Sequence, residues 1–248
     1  MNIVKLKYLL KNSIFIFREL SYLKLRNRCL RDSSIGVYYL NKFFPREFSD
    51  NKNNNFKIID IGCSWGRFGA MLSKQGFSVY GIDTFIGQSR FWGKIRKENK
   101  TAYFTAADAQ EIPFKNEVFD GCITVGVLEF IKNDELFFCE LKRVLKPKGI
   151  IVLQVANRNN IYTRLTGRNI HKYYQRCYSI EEIDLFLKNS GFSIFKVMGE
   201  GWDIPVIRKI LSVVLPYFAT LSYRSDVLSG ILSLKQQTFI TIFARKNG

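Results

Sequence analysis

The stretch Ile58-Ile59-Asp60-Ile61-Gly62-Cys63-Ser64-Trp65-Gly66-Arg67-Phe68-Gly69 is an apolar run that ends in an acid and then in spaced glycines. The β-branched residues ahead of Asp60 predict a buried parallel strand. Gly62 and Gly66 let the backbone turn sharply and approach a ligand with no Cβ in the way. A helix is expected to open at about Trp65, and Gly69 falls where helix and strand must pack closely. Strand, glycine turn and helix together form a device for gripping a nucleotide. The spacing narrows it: a dinucleotide fingerprint asks for G-x-G-x-x-G, whereas Ser64 stands in the second place here and the next glycine is Gly66.

Reading outward, Phe77-Ser78-Val79-Tyr80-Gly81-Ile82-Asp83 is a second strand ending in an acid. A carboxylate at that end can accept both ribose hydroxyls of a nucleoside. Ala107-Asp108-Ala109 follows a third strand, Tyr103 to Ala106, and the Asp108 carboxylate could accept an adenine amino group. Phe119 to Val125 makes a fourth strand, and Leu141 to Leu145 ends a helix. Lys146-Pro147-Lys148-Gly149 then turns into a fifth strand through Val155. This is a regular β/α alternation.

In that order the pieces resemble the class I S-adenosylmethionine-dependent methyltransferase family, in particular its quinone-biosynthesis and small-molecule members. The matching runs are Asp60-Ile61-Gly62-Cys63-Ser64-Trp65-Gly66, Gly81-Ile82-Asp83, Asp108-Ala109-Gln110-Glu111-Ile112-Pro113-Phe114, Phe119-Asp120, Val127-Leu128-Glu129 and Arg143-Val144-Leu145-Lys146-Pro147-Lys148-Gly149. The resemblance implies a Rossmann-like sheet of seven mostly parallel strands, helices on both faces and an antiparallel last strand. It implies S-adenosylmethionine as cofactor, with Gly62 and Gly66 against the methionine part and Asp60 and Cys63 also among the cofactor-binding residues. Asp83 then falls to the ribose and Asp108 near the adenine, with Thr84, Ala109 and Val125 further cofactor-binding residues. Two positions depart from the pattern: Ser64 replaces a usual glycine, and Phe130 stands where many relatives carry His.

With 248 residues, 47% of them hydrophobic, the chain is long enough for one well-buried α/β core. Residues 51–248 are expected to form the methyltransferase domain, with 1–50 a helical extension. The five cysteines, Cys29, Cys63, Cys122, Cys139 and Cys177, are odd in number and lack paired metal spacing. Reduced thiols in the cytoplasm are therefore expected, and no metal. Cys63 reads as a small buried residue of the loop, not as a nucleophile.

A net charge of +17 calls for a partner or a surface. Near the start, Lys5, Lys7, Lys11, Arg18, Lys24, Arg26, Arg28 and Arg31 face only Glu19 and Asp32, while Ile3, Leu6, Leu10, Ile14 and Phe17 share one helical stripe. This basic amphipathic pattern fits the anionic inner face of a membrane, and equally a helix packed on the domain. A second addition runs from about 200 to 235, between the sixth strand, Phe192 to Val197, and a seventh, Thr238 to Ala244. Its run Ile210 to Ala219 is apolar but too short and Pro-broken to span a bilayer. Phosphate neutralisation offers nucleic acid as the alternative partner, yet no RNA-binding module, zinc motif or Asn-Pro-Pro-Tyr-type strand end is present.

The acceptor side is expected in a cover over about 157–178, ahead of a helix from Ser179 to Asn189. His171, the only histidine, is the candidate general base there, because its ordinary pKa lies near working pH. Glu129, Arg168, Tyr173 and Tyr174 are candidate acceptor contacts. The expected activity is methyl transfer to a small-molecule or lipid-linked acceptor. RNA methylation is the alternative within enzymes, and a catalytically silent membrane- or partner-binding module the alternative outside them.

Overall fold

A computed structural model describes residues 56–169, 174–200 and 237–248. The N-terminal extension and the apolar insert fall outside them. Seven strands form one sheet in the order β3-β2-β1-β4-β5-β7-β6. They are β1 (Lys57–Ile61), β2 (Ser78–Asp83), β3 (Ala102–Ala106), β4 (Phe119–Val125), β5 (Leu145–Ala156), β6 (Phe192–Glu200) and β7 (Phe239–Lys246). Strands β1 to β5 pair in parallel, and β7 runs antiparallel between β5 and β6, as the alternation and the resemblance imply.

Five helices accompany the described strands: α1 (Arg67–Ser73), α2 (Ser89–Glu98), α3 (Asp134–Val144), α4 (Ile161–Thr166) and α5 (Ile180–Asn189). Alternation along the central strands sends neighbouring side chains to opposite faces. Ile58, Val79, Ile123 and Val152 meet Met71 and Leu72 of α1 on one face. Ile59, Ile61, Cys122, Ile151 and Leu153 join Phe137, Phe138, Leu141, Ile183 and Leu187 of α3 and α5 on the other. The sheet is thus buried on both sides, which explains why its middle strands read as nearly unbroken apolar runs.

Several motif residues pin the rim far from the glycine loop. One Asp120 oxygen accepts the Lys57 N–H and the other lies 2.7 Å from the Lys146 ammonium, joining β1, β4 and β5. Arg143 pairs with Glu140 and donates to the carbonyls of Ile112 and Phe114, while Glu140 accepts the Ile112 N–H. These ties fix the long β3–β4 connection onto α3.

Two boundaries differ from expectation. Helix α1 opens at Arg67, because its cap Gly66 sits at φ 86°, outside the helical region. The Lys146–Gly149 run is part of β5 itself: Lys148 takes φ 64° and the pairing with β4 shifts between Phe119 and Gly121, a bulge within the strand.

A single aromatic ring sets how closely these layers approach. A Cβ at Gly66, Gly69 or Gly81 would stand 2.6, 2.8 or 2.5 Å from Phe104 on β3, so the three glycines vacate the space the ring fills. Trp92 of α2 stacks on Phe104 at 5.7 Å. Gly81→Ala should therefore destabilise the protein by about 1–3 kcal/mol through overpacking. Phe104→Leu in that background should recover part of the loss, measured as non-additive shifts in urea unfolding midpoints.

Candidate active site

In the strand order, β1 is flanked by β2 on one side and β4 on the other, so connections leave in opposite directions from their carboxyl ends. Such a switch point opens a crevice where ligands bind. The turn after β1 lies along it. Gly62 and Cys63 both donate to the Ile82 carbonyl of β2, at 2.8 and 3.0 Å, and Gly66 donates to the Cys63 carbonyl. Gly62 takes φ 72°, and a Cβ there would come within 2.2 Å of Val127 after β4. Ser64, the position that departs from glycine, is held at φ 47°. Trp92 holds it by donating its indole N–H to the Ser64 carbonyl at 2.6 Å.

Two acids face this turn. Asp60 is 1% exposed, and one of its oxygens has no partner. Burial, then the nearby Asp83 carboxylate, pushes its pKa up to about 7, against the opposing pull of Arg67 and of the Gly69 N–H. Asp83, at the end of β2, accepts the Ser64 N–H on one oxygen and the Phe85 N–H on the other, both at 2.8 Å. Each of those oxygens keeps a lone pair for a further donor. Cys63 is buried between the acids, and burial with their charges drives its thiol pKa far up. No nucleophilic thiolate arises there, in keeping with its reading as a small buried residue.

Asp108 follows β3 and is exposed; its Oδ1 accepts the Gln110 N–H at 2.8 Å, which closes a local turn. Gln110 in turn accepts the Asn133 N–H. Ala109 is buried, Thr84 is exposed, and Val125 is half-buried at the end of β4.

The acceptor candidates fare differently. Glu129 is wholly buried in the short 3₁₀ turn Leu128–Phe130, with one oxygen on the Ala156 N–H and the other without a partner. Burial raises its pKa. Phe130, next to it, is 47% exposed and meets Tyr174 edge-on at 5.6 Å. Arg168 is exposed just past the end of α4. His171 and Tyr173 lie outside the described residues. Sequence reading missed Trp92, Phe104 and Phe130 as site-forming residues. Only Phe130 carried a signal, as the departure from His.

Among the described residues, the buried side-chain polar atoms without a partner are on Asp60, Thr124 and Glu129. All three residues lie at or just past the carboxyl end of a strand, and each such group costs about 1–3 kcal/mol. An unpaired Asp60 oxygen and the Asp83 carboxylate beside the glycine turn suit a ligand bearing donors and positive charge.

Comparison with known proteins agrees. Residues 59–153 match a family described as a methyltransferase domain. The ubiquinone biosynthesis O-methyltransferase of Rickettsia canadensis (strain McKiel) is 29% identical over 165 residues, 62% of this chain and 70% of that one. Residues 59–153 are a methyltransferase domain, and the relatives and fold support the class I S-adenosylmethionine-dependent kind. Sterol 4-C-methyltransferase strm-1 of Caenorhabditis elegans is 25% identical over 164 residues, 63% of this chain and 47% of that one. The crystal structure of the [4+2]-cyclase SpnF superposes with a TM-score of 0.62 at 17% identity, covering 85% of this chain and 82% of that one; it shows the shared fold. The enzyme's cofactor is S-adenosylmethionine, a sulfonium that supplies an electrophilic methyl group.

Two outcomes follow for this methyltransferase. Ser64→Gly should raise stability by about 1 kcal/mol in urea titrations, because only glycine takes the left-handed conformation freely. Asp60 has a raised folded-state pKa, so the stability from its neutral form is fully present below about pH 4 and is lost as pH rises to about 7. Asp60→Asn should abolish that loss. Its advantage over the parent should grow to a few kcal/mol by pH 7 and stay level above, read from unfolding curves at successive pH values.

Proposed function

We propose that the enzyme methylates a small-molecule or lipid-linked acceptor whose reacting part is an uncharged, largely apolar ring. The observation that carries this is Phe130, 47% exposed beside the cofactor crevice and braced edge-on by Tyr174. A ring wall recognises another ring by area and edge-to-face contact, not by charge. The relatives named for ubiquinone biosynthesis and for sterol 4-C-methylation support the same class of acceptor. Sulfonium methyl transfer needs chiefly an acceptor atom held in line and shielded from water. An apolar wall does both.

In this proposal Asp83 accepts the ribose hydroxyls and Asp108 the adenine amino group. The backbone from Gly62 to Gly66 meets the methionine part, with Asp60 beneath it. Thr84, Ala109 and Val125 line the same cleft. Asp60 gains a cation when the cofactor arrives, which lifts part of the penalty of its burial. Acceptors of phenol type must also lose a proton. His171 is the group we assign to that step, with Arg168 and Tyr173 as acceptor contacts. A basic start and an apolar insert fit a cytoplasmic enzyme that docks on the inner face of a membrane, where a lipid-linked acceptor would reside.

Calorimetry with S-adenosylmethionine should show saturable binding, weakened roughly 10- to 100-fold by Asp83→Ala through loss of charge-assisted hydrogen bonds. Tritiated methyl should pass from the cofactor to a catechol with a short prenyl tail and not to total RNA; transfer to RNA alone would overturn the acceptor class. Deleting residues 1–31 should reduce sedimentation with anionic liposomes, and the remaining binding should fall with salt. Undiminished sedimentation of the shortened chain would remove the docking role.

A further inference from the structure

The segment from Tyr174 to Tyr178 is stitched to three separate parts of the crevice rim. Tyr178 donates its N–H to the Ala156 carbonyl and accepts the Arg158 N–H, which extends the end of β5. Gln175 donates to the Glu129 carbonyl. The Arg176 guanidinium donates to the Ile131 carbonyl at 2.5 Å and pairs with Asp134 at 3.0 Å. The Tyr178 hydroxyl lies 3.0 Å from an Asp134 oxygen and 3.1 Å from the Leu128 carbonyl, so its one proton is shared between two acceptors. Asp134 and Tyr178 are 7% and 2% exposed, and Arg176 lies over the Tyr178 ring at 5.6 Å.

Every one of these bonds ends on the turn Leu128–Phe130, on the residues just after it, or on the ends of α3 and β5. Leu128 and Ile131 hold that turn from below through the apolar core. The polar ties hold its outer edge, where Phe130 meets Tyr174. Asp134 and Tyr178 are buried while the Arg176 side chain that reaches them is 36% exposed, and removing either partner of the buried Asp134 leaves its carboxylate under-satisfied. Such networks make the rings they carry rigid.

We infer that Asp134, Arg176 and Tyr178 are positioning residues for the acceptor: together they set the Phe130–Tyr174 ring pair as one wall of the acceptor site while leaving the cofactor half untouched. This rests on the reading that the acceptor lies against Phe130. The three residues never meet substrate; they act through the two rings.

The test uses the 248-residue chain, S-adenosylmethionine and the short-tailed catechol, with Arg176→Met, Arg176→Lys and Tyr178→Phe. Arg176→Met and Tyr178→Phe should raise the catechol KM roughly tenfold, with kcat and the cofactor Kd within about twofold of the parent. Arg176→Lys, which keeps the charge beside Asp134 but not the fork, should restore part of the KM. Hydrogen exchange should speed at 128–131 and 174–178 together and stay slow at 62–66. Cofactor Kd and catechol KM rising together would mean a general structural role and would overturn the inference, as would an unchanged KM with 174–178 released. If the parent enzyme leaves the catechol unmethylated, the acceptor class fails on its own. Exchange then decides the clasp: joint release of the two segments with an intact glycine loop upholds it, and release everywhere or nowhere overturns it.

Discussion

The cofactor half of this methyltransferase depends on the close approach of three chain segments around one ring. Phe104 fills the space that side chains at Gly66, Gly69 and Gly81 would take, so the β1 turn, α1 and β2 draw in on β3. The loop's shape therefore comes from packing beneath it as well as from its own turn residues. Trp92 stacks on the same ring and ties down the Ser64 carbonyl, which helps keep a non-glycine residue at a positive φ. A loop fixed from below leaves its upper face and two carboxylates to answer a ligand.

Those carboxylates sit oddly in a chain of net charge +17. Asp60 and Asp83 come from adjacent parallel strands, paired as Asp60↔Gly81 and two residues on, and they repel each other across a partly buried turn. Burial there is costly for the acid and raises the Cys63 thiol as well. Such a cost survives where function uses it. A site that concentrates unpaired acceptors and negative charge is prepared for a cationic, donor-rich molecule. The sulfonium cofactor is one.

How much of this the amino-acid sequence discloses depends on what each part is made of. The succession of strands along the chain and the two acid-ended strands are legible because they rest on residue periodicity and on glycine spacing, both local, whereas the sheet they form was implied by the family resemblance. The opening of α1 was misplaced by two residues, since no local rule says that Gly66 will be left-handed and not the first helical residue. The bulge at Lys148 was read as a turn for the same reason: Pro-Lys-Gly signals a break in regular pairing, and only the neighbouring strand decides that it is a bulge. Phe104 gave no signal at all. An aromatic residue in a strand looks alike whether it faces three glycines or solvent.

The same distinction separates donor from acceptor. The proposed cofactor site uses backbone and a few acids on fixed strand ends, so a short motif can carry it from one chain to another. The proposed acceptor wall is built otherwise. Arg176 reaches Ile131 across 45 positions and Tyr178 reaches Asp134 across 44, and each bond exists only after the sheet has brought the rims together. No spacing rule spans such distances. The exchange of His for Phe130 was visible, but in sequence it reads only as the loss of a base. With Tyr174 packed on its edge and 47% of it exposed, Phe130 offers an apolar surface where the family resemblance leads one to expect a polar residue. On the proposed reading, acceptor choice turns on this one exposed residue, because the clasp holds its side chain still.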